Sequence, residues 1–303
     1  MIARLKLFVV ESFPLRFFIP YSLVYAFGMT GLFAATDGRI THWTPGFGLL
    51  TSAATLMIDQ LIIRALDDIR DLDYDRRYNP ARPLARGAVR RSDLVALIVA
   101  GVAFVLAINA GRGAADLILV VQLIYLVVLA AIEKRFDWPR DGQLLTNLAV
   151  SYPIQLALSV YLYADWLSLH ALAPAWQGVL VILAAAVGLL HLELARKVTR
   201  TPRDGERTYV RIFGVRNTVR IAAACAAITS LIVVALLQPW ANPPRSAWGW
   251  AALLPLMPVV IGRLKFNDPA LPRWPLRYAA WYILVMYASF LFVGLATLGR
   301  QVA

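Results

Sequence analysis

The sequence predicts an all-α fold, a polytopic membrane bundle of about nine transmembrane helices around a central cavity. Three observations carry that expectation. Of 303 residues, 60% are hydrophobic and only 16% are charged, which is more apolar surface than a chain folded in water can hide. The apolar residues also gather into windows near the roughly twenty residues that cross a hydrocarbon core. Finally, Lys and Arg sit in the short connections between those windows and form no aromatic-interleaved patch. The net charge of +12 therefore points to a membrane rather than to nucleic acid.

In chain order the windows are 17–36, 47–66, 94–110, 117–132, 144–163, 176–194, 215–237, 248–261 and 278–298. The eighth is short and holds Pro255 and Pro258, so a kink is expected there, and a count of eight stays open. The N-terminal stretch MIARLKLFVVESFPLRFF resembles a signal peptide in its charge but lacks a small-residue cleavage site. It is read as mature chain. Basic residues crowd the segments before the first window, between the second and third, fourth and fifth, and sixth and seventh, and between the last two. The alternate connections and the tail hold Arg39, Arg112, Arg245 and Arg300. By the positive-inside bias the crowded side faces the cytoplasm, and a cell inner membrane is expected. No soluble domain can be cut out, so residues 1–303 read as one membrane domain. Cys225, the single cysteine, lies in an apolar run and makes no internal disulfide.

Residues 67–87, DDIRDLDYDRRYNPARPLARG, interrupt the apolar pattern. Asp67, Asp71 and Asp75 are four apart and Asp68 and Asp71 three apart, so a helix would crowd them on one side, where like charges repel. A divalent cation removes the repulsion. Mg²⁺ suits such oxygen ligands and is commonly shared between carboxylates and a substrate phosphate. The plainer reading is a solvated acidic turn balanced by Arg70, Arg76 and Arg77. With Arg82 following, acids for a metal stand beside a base for anionic oxygens, which describes a diphosphate site.

Asp67-Asp68-x-x-Asp71-x-x-x-Asp75, then Pro80, Arg82, Pro83, Leu84 and Gly87, resembles the first Asp-rich motif of the UbiA superfamily of intramembrane prenyltransferases. That motif usually opens with Asn where this chain has Asp67. Charged connections after the second and sixth of nine windows extend the likeness over essentially the whole chain. The resemblance implies Mg²⁺ held by Asp67, Asp68, Asp71 and Asp75. It implies transfer, within the membrane, of an isoprenyl group from an allylic diphosphate to a small aromatic acceptor. The second charged stretch, HLELARKVTRTPRDGERTYVRIFG, departs from the family. Thr208 and Gly214 match the end of its second motif, but Glu193 and Lys197 stand where two aspartates are usual. Glu193 is a candidate fifth metal ligand, and Lys197 a direct holder of diphosphate in place of a second metal. A simple helical ion pair between the two is the alternative.

The expected catalytic residues are therefore Asp71, Asp75 and Lys197, with Arg64, Arg82, Lys197, Asn147 and Tyr152 binding substrate. Asn147, Ser151, Tyr152 and Gln155 form a polar stripe beside Pro153, which helix–helix hydrogen bonding explains equally well. Tyr125, Tyr152 and Phe290 are candidates to line the path of the hydrocarbon tail. His191 reads as a structural hydrogen-bonding residue. Three other functions stay open: a membrane terpene cyclase using the same metal site, a transporter, and a protein that only binds lipid.

Overall fold

The computed structural model describes residues 1–139, 142–241 and 246–299; Arg245 and Arg300 lie outside the described residues. It is all helical: α1 (Ile2–Ser12), α2 (Leu15–Thr36), α3 (Gly48–Arg70), α4 (Leu72–Tyr78), α5 (Arg91–Asn109), α6 (Ala114–Phe136), α7 (Leu144–His170), α8 (Trp176–Arg196), α9 (Val210–Leu237), a 3₁₀ segment (Ser246–Leu253), α10 (Leu256–Phe266) and α11 (Leu276–Leu298). Among the described residues nine segments are long and apolar enough to cross a membrane. They follow the nine windows, and the eighth is the composite Ala247–Phe266, bent at Pro255 where 3₁₀ gives way to α10. The chain is an integral, multi-pass membrane protein.

Helix α2 is the inner element, packed against α3, α7, α8 and α11. Its seam with α11 depends on glycine. A Cβ on Gly28 would stand 2.2 Å from the Tyr287 carbonyl oxygen, and one on Gly294 would stand 2.6 Å from Gly31 Cα, so the two backbones touch. Tyr25 and Tyr287 stack across the seam at 4.4 Å. On the other flank α8 and α9 are tied by His191 Nδ1 to the Ala222 carbonyl (2.8 Å) and by Thr229 donating to the Ala184 carbonyl (2.9 Å). At the end away from the acidic stretch, Arg112 bonds Asp165 (3.2 Å), Ser52 (3.0 Å) and the Gly48 carbonyl (3.0 Å), a charge kept inside the bundle by full pairing.

Helices α1 and α4 have no counterpart in the hydropathy pattern. Helix α1 lies against the charged connection after α4 and the start of α5, where Glu11 accepts from Arg86 (2.8 Å) and Arg4 grips Asp93 (2.6 Å). Its Phe8 is buried with Leu72, Leu84 and Val89, so the leucine of the Pro-Leu run serves as a packing plug. Gly87 sits at φ 79°, a turn that costs other residues strain.

Substituting Gly28→Ala is expected to cost about 1–3 kcal/mol, because the displaced group is backbone and cannot yield. Unfolding of the purified protein in detergent measures it, and an unchanged midpoint would contradict the tight seam.

Candidate active site

At the charged end of the bundle a cavity of about 390 Å³ opens between α2, α3, α7 and α8. The acids divide around it. Helix α3 ends at Arg70, yet the hydrogen-bond ladder runs on through Asp71 N–H to the Asp67 carbonyl (2.8 Å) and Asp75 N–H to the Asp71 carbonyl (2.7 Å). At 3.6 residues per turn, positions 67 and 71 share one face while 68 and 75, two turns apart, share the next. The acids therefore do not crowd one side as spacing of four suggested; eight residues from Asp67 to Asp75 accumulate too much rotation. Asp67 and Asp71 line the cavity, their side chains 44% and 32% exposed. Asp68 and Asp75 are buried. Asp68 accepts from Arg64 (2.8 Å) and Arg82 (3.4 Å), and Asp75 from Arg82 (2.5 Å) and Asn79 (2.8 Å).

The facing wall is basic. Lys197 Nζ lies 2.7 Å from Glu193, Arg196 Nε donates to the same carboxylate at 2.6 Å, and Tyr209 donates at 3.0 Å. Burial, and then the Glu193 carboxylate, push the Tyr209 phenol well above its usual range, so it remains a donor. Both Glu193 oxygens are thus committed to cations or donors, which opposes its expected use as a metal ligand. Thr208 fixes this corner: its hydroxyl donates to the Lys197 carbonyl (2.5 Å) and accepts from Val210 N–H (3.2 Å). Gly214, at φ 73°, supplies a break inside α9.

Arg207 joins the walls. Its guanidinium is 2.7 Å from Asp71 and 4.4 Å from the centre of the Tyr74 ring, while its backbone N–H donates to the Tyr74 hydroxyl (3.0 Å). Among the described residues no three or more His, Cys, Asp or Glu side chains converge as a metal cluster. Five Lys and Arg side chains line the cavity against three Asp and Glu, so its charge invites an anion.

No family model matches the chain. Digeranylgeranylglyceryl phosphate synthase of Methanoculleus marisnigri is 28% identical over 212 residues, 68% of this chain and 70% of that protein. The enzyme of the same name from Natronomonas pharaonis is 28% identical over 235 residues, 74% and 76% of the two chains. The apo structure of a UbiA homolog from Aeropyrum pernix K1 shares the fold over 92% of this chain and 96% of that one, with TM-score 0.57 and 16% identity. The chain is thus similar in sequence to these two synthases and shares its fold with the UbiA homolog.

Within the cavity stand most of the residues singled out from sequence: Arg64, Asp67, Asp71, Asn147, Tyr152, Glu193 and Lys197 all line it. Asp68, Asp75 and Arg82 lie behind the α3 wall as one ion network. Two tail candidates stand elsewhere. Tyr125 donates to the Val150 carbonyl (2.7 Å) on the outside of the bundle, and Phe290 is buried against Tyr287 in the α2–α11 core. His191 is fully buried in its structural bond. Sequence reasoning missed Arg70, Arg196, Arg207 and Gln60. Arg70, held by Glu133 at 2.5 Å, and Arg196 carried a signal in adjoining the motifs; Arg207 carried none beyond its charge.

Arg82→Ala leaves two buried carboxylates short of a partner and is expected to cost about 1–3 kcal/mol of stability before any substrate binds. Asp67→Asn, at an exposed carboxylate, should stay within about 0.5 kcal/mol of the parent. Unfolding in detergent without substrate compares the two, and equal effects would refute the division of the acids.

Proposed function

We propose that the chain transfers an isoprenyl group from an allylic diphosphate to a second lipid-accessible substrate, at a site open to the cytoplasm. The observation that carries this reading is the shape of the cavity's charge: Asp67 and Asp71 on one wall, Lys197 and Arg196 on the other, and a largely apolar interior beneath. A diphosphate with a hydrocarbon tail has that same polarity. Catalysis by the protein then amounts to stabilising the leaving group. The C–O bond breaks with its electron pair leaving on the diphosphate, the allylic cation is attacked by the acceptor, and the acceptor's proton passes to solvent. Lys197, Arg196 and Arg207 neutralise the departing oxygens, while Arg64 sits at the junction of charged and apolar lining.

Mg²⁺ fits the donor set in a limited form. It ordinarily keeps several waters and takes one or two carboxylates with substrate phosphates, and two carboxylates, Asp67 and Asp71, face the cavity. Bound there it would neutralise the leaving diphosphate. Glu193 instead holds Lys197 and Arg196 in position, so a lysine and an arginine occupy the place of a second metal. Asp68 and Asp75 hold the α3 wall through Arg82. The acceptor reading follows the relatives as well as the motif. Their names specify a glyceryl phosphate product, which favours attack by an alcohol oxygen over attack by an aromatic ring.

The purified chain, given an allylic diphosphate with a glyceryl phosphate lipid or an aromatic acid, is expected to release diphosphate in a Mg²⁺-dependent manner. Asp71→Ala should lower the rate about 100-fold or more. Prenylated lipid or prenylated aromatic product decides the acceptor. A cyclic hydrocarbon formed without acceptor would instead mark a cyclase, and the absence of diphosphate release with every donor would return the transporter and lipid-binding readings.

A further inference from the structure

We infer that the cavity is a blind pocket that measures the isoprenyl tail, accepting geranyl and farnesyl diphosphates over geranylgeranyl diphosphate, with Tyr21 and Gln60 forming its floor. This rests on the transferase reading above. On α3 the cavity-lining residues run from Asp71 and Asp67 at the mouth down to Gln60. At 1.5 Å per residue, Gln60 lies about 10 Å below Asp67 and about 16 Å below Asp71. An isoprene unit adds four chain bonds of about 1.5 Å each, which advance about 5 Å when extended. The depth below the acids is therefore that of two to three units. The volume agrees, since 390 Å³ lies near the low end of the ~300–1,000 Å³ of small-molecule pockets and must also admit the acceptor.

The floor does not yield. Tyr21, 4% exposed, stacks on Phe17 (5.7 Å) and abuts Tyr25 (5.8 Å) and Tyr287 (6.0 Å). One turn deeper the Tyr25 and Ser159 hydroxyls bond at 2.7 Å, closing the space between α2 and α7, and Leu56 and Leu158 are fully buried. Behind Tyr25 stands the glycine seam, where α2 has no room to move. The floor is also polar on one side. Gln60, 9% exposed, lines the cavity with its side-chain N–H group unpartnered. Water entering from the mouth can satisfy that amide, whereas a tail reaching it strands the donor against hydrocarbon. Bulk at Tyr21 and an unpaired donor at Gln60 thus set the same limit.

The test measures kcat/KM for geranyl, farnesyl and geranylgeranyl diphosphates with the full chain in detergent, alongside the thermal stabilisation each donor gives. Geranylgeranyl diphosphate is expected to be at least about tenfold poorer than the better of the other two. Tyr21→Ala should remove or reverse that gap and Tyr21→Phe should keep it. Gln60→Leu, which opens no additional space, should narrow the gap by relieving the stranded amide, so the inference stands on a second variant if Tyr21→Ala does not fold. Equal use of all three donors by the wild type would overturn it, since the tail would then leave sideways into lipid. An unchanged profile in Gln60→Leu with a raised acceptor KM would also overturn it, by assigning the amide to the acceptor. Failure of every donor to turn over refutes the transferase reading instead, while the stabilisation series still reports the length the pocket holds.

Discussion

The site depends on how Arg82 settles two buried carboxylates. Asp68 and Asp75 sit two helical turns apart at the edge of an apolar bundle, where an unpaired charge costs several kcal/mol. Arg82 reaches both, Arg64 supplies Asp68 with a second cation, and Asn79 closes the remaining oxygen of Asp75. The bridge folds residues 79–89 back under α3. That turn brings Leu84 onto Phe8 and Leu72, which seats α1. With one pair of acids so engaged, the helical phase leaves Asp67 and Asp71 as the pair that faces the cavity. The spacing of the four acids is thus a division of labour between holding the wall and presenting charge.

The opposite wall solves a related problem with the sign reversed. Glu193 is held between Lys197, Arg196 and Tyr209, and its function in this arrangement is to organise cations. Two lone cations so close would repel. One shared carboxylate lets them approach while leaving net positive charge toward the cavity. Tyr209, kept protonated by burial and by that carboxylate, adds a donor without adding charge. The result is an asymmetric mouth, with Asp67 and Asp71 balanced by Arg64 and Arg70 on the α3 side, net positive charge on the α8 side, and Arg207 bonded to Asp71 across the gap.

The bilayer bundle was legible because hydropathy is additive over windows: nine segments and even the weak eighth could be read, Pro255 marking its bend. The motif at residues 67–87 located the mouth. Sequence reading could not decide which acids face inward, because a spacing of four places neighbours on one side only across a single turn. Nor could it see α1, too short for a span window and stabilised by Arg4 and Glu11 reaching partners far along the chain. Aromatic identity alone likewise misplaced Tyr125 and Phe290. Only packing tells that one tyrosine bonds the outside of α7 and that Phe290 belongs to the α2–α11 seam. Gln60 escaped notice because a single amide in a hydrophobic helix has no pattern; its meaning lies in facing a cavity without a partner.

The bundle is unequal in what can move. Below the floor, helices are joined by backbone contact at Gly28, Gly31 and Gly294, by a buried tyrosine stack and by hydroxyl bonds shielded from water. Above it, the walls meet through Arg207 with Asp71 and Tyr74, Arg203 with the Tyr78 carbonyl, and Tyr78 with the Asp204 carbonyl. Such contacts at a hydrated mouth exchange for ligand contacts at small net cost, whereas the packed seam opens only with much of the core. On the proposed reading, a diphosphate arriving at the mouth would compete with Asp71 for Arg207, and binding would rearrange side chains and loops while the lower helices stay fixed. Admission of a charged end would therefore be adaptable, while the space beneath keeps the dimensions that packing gives it.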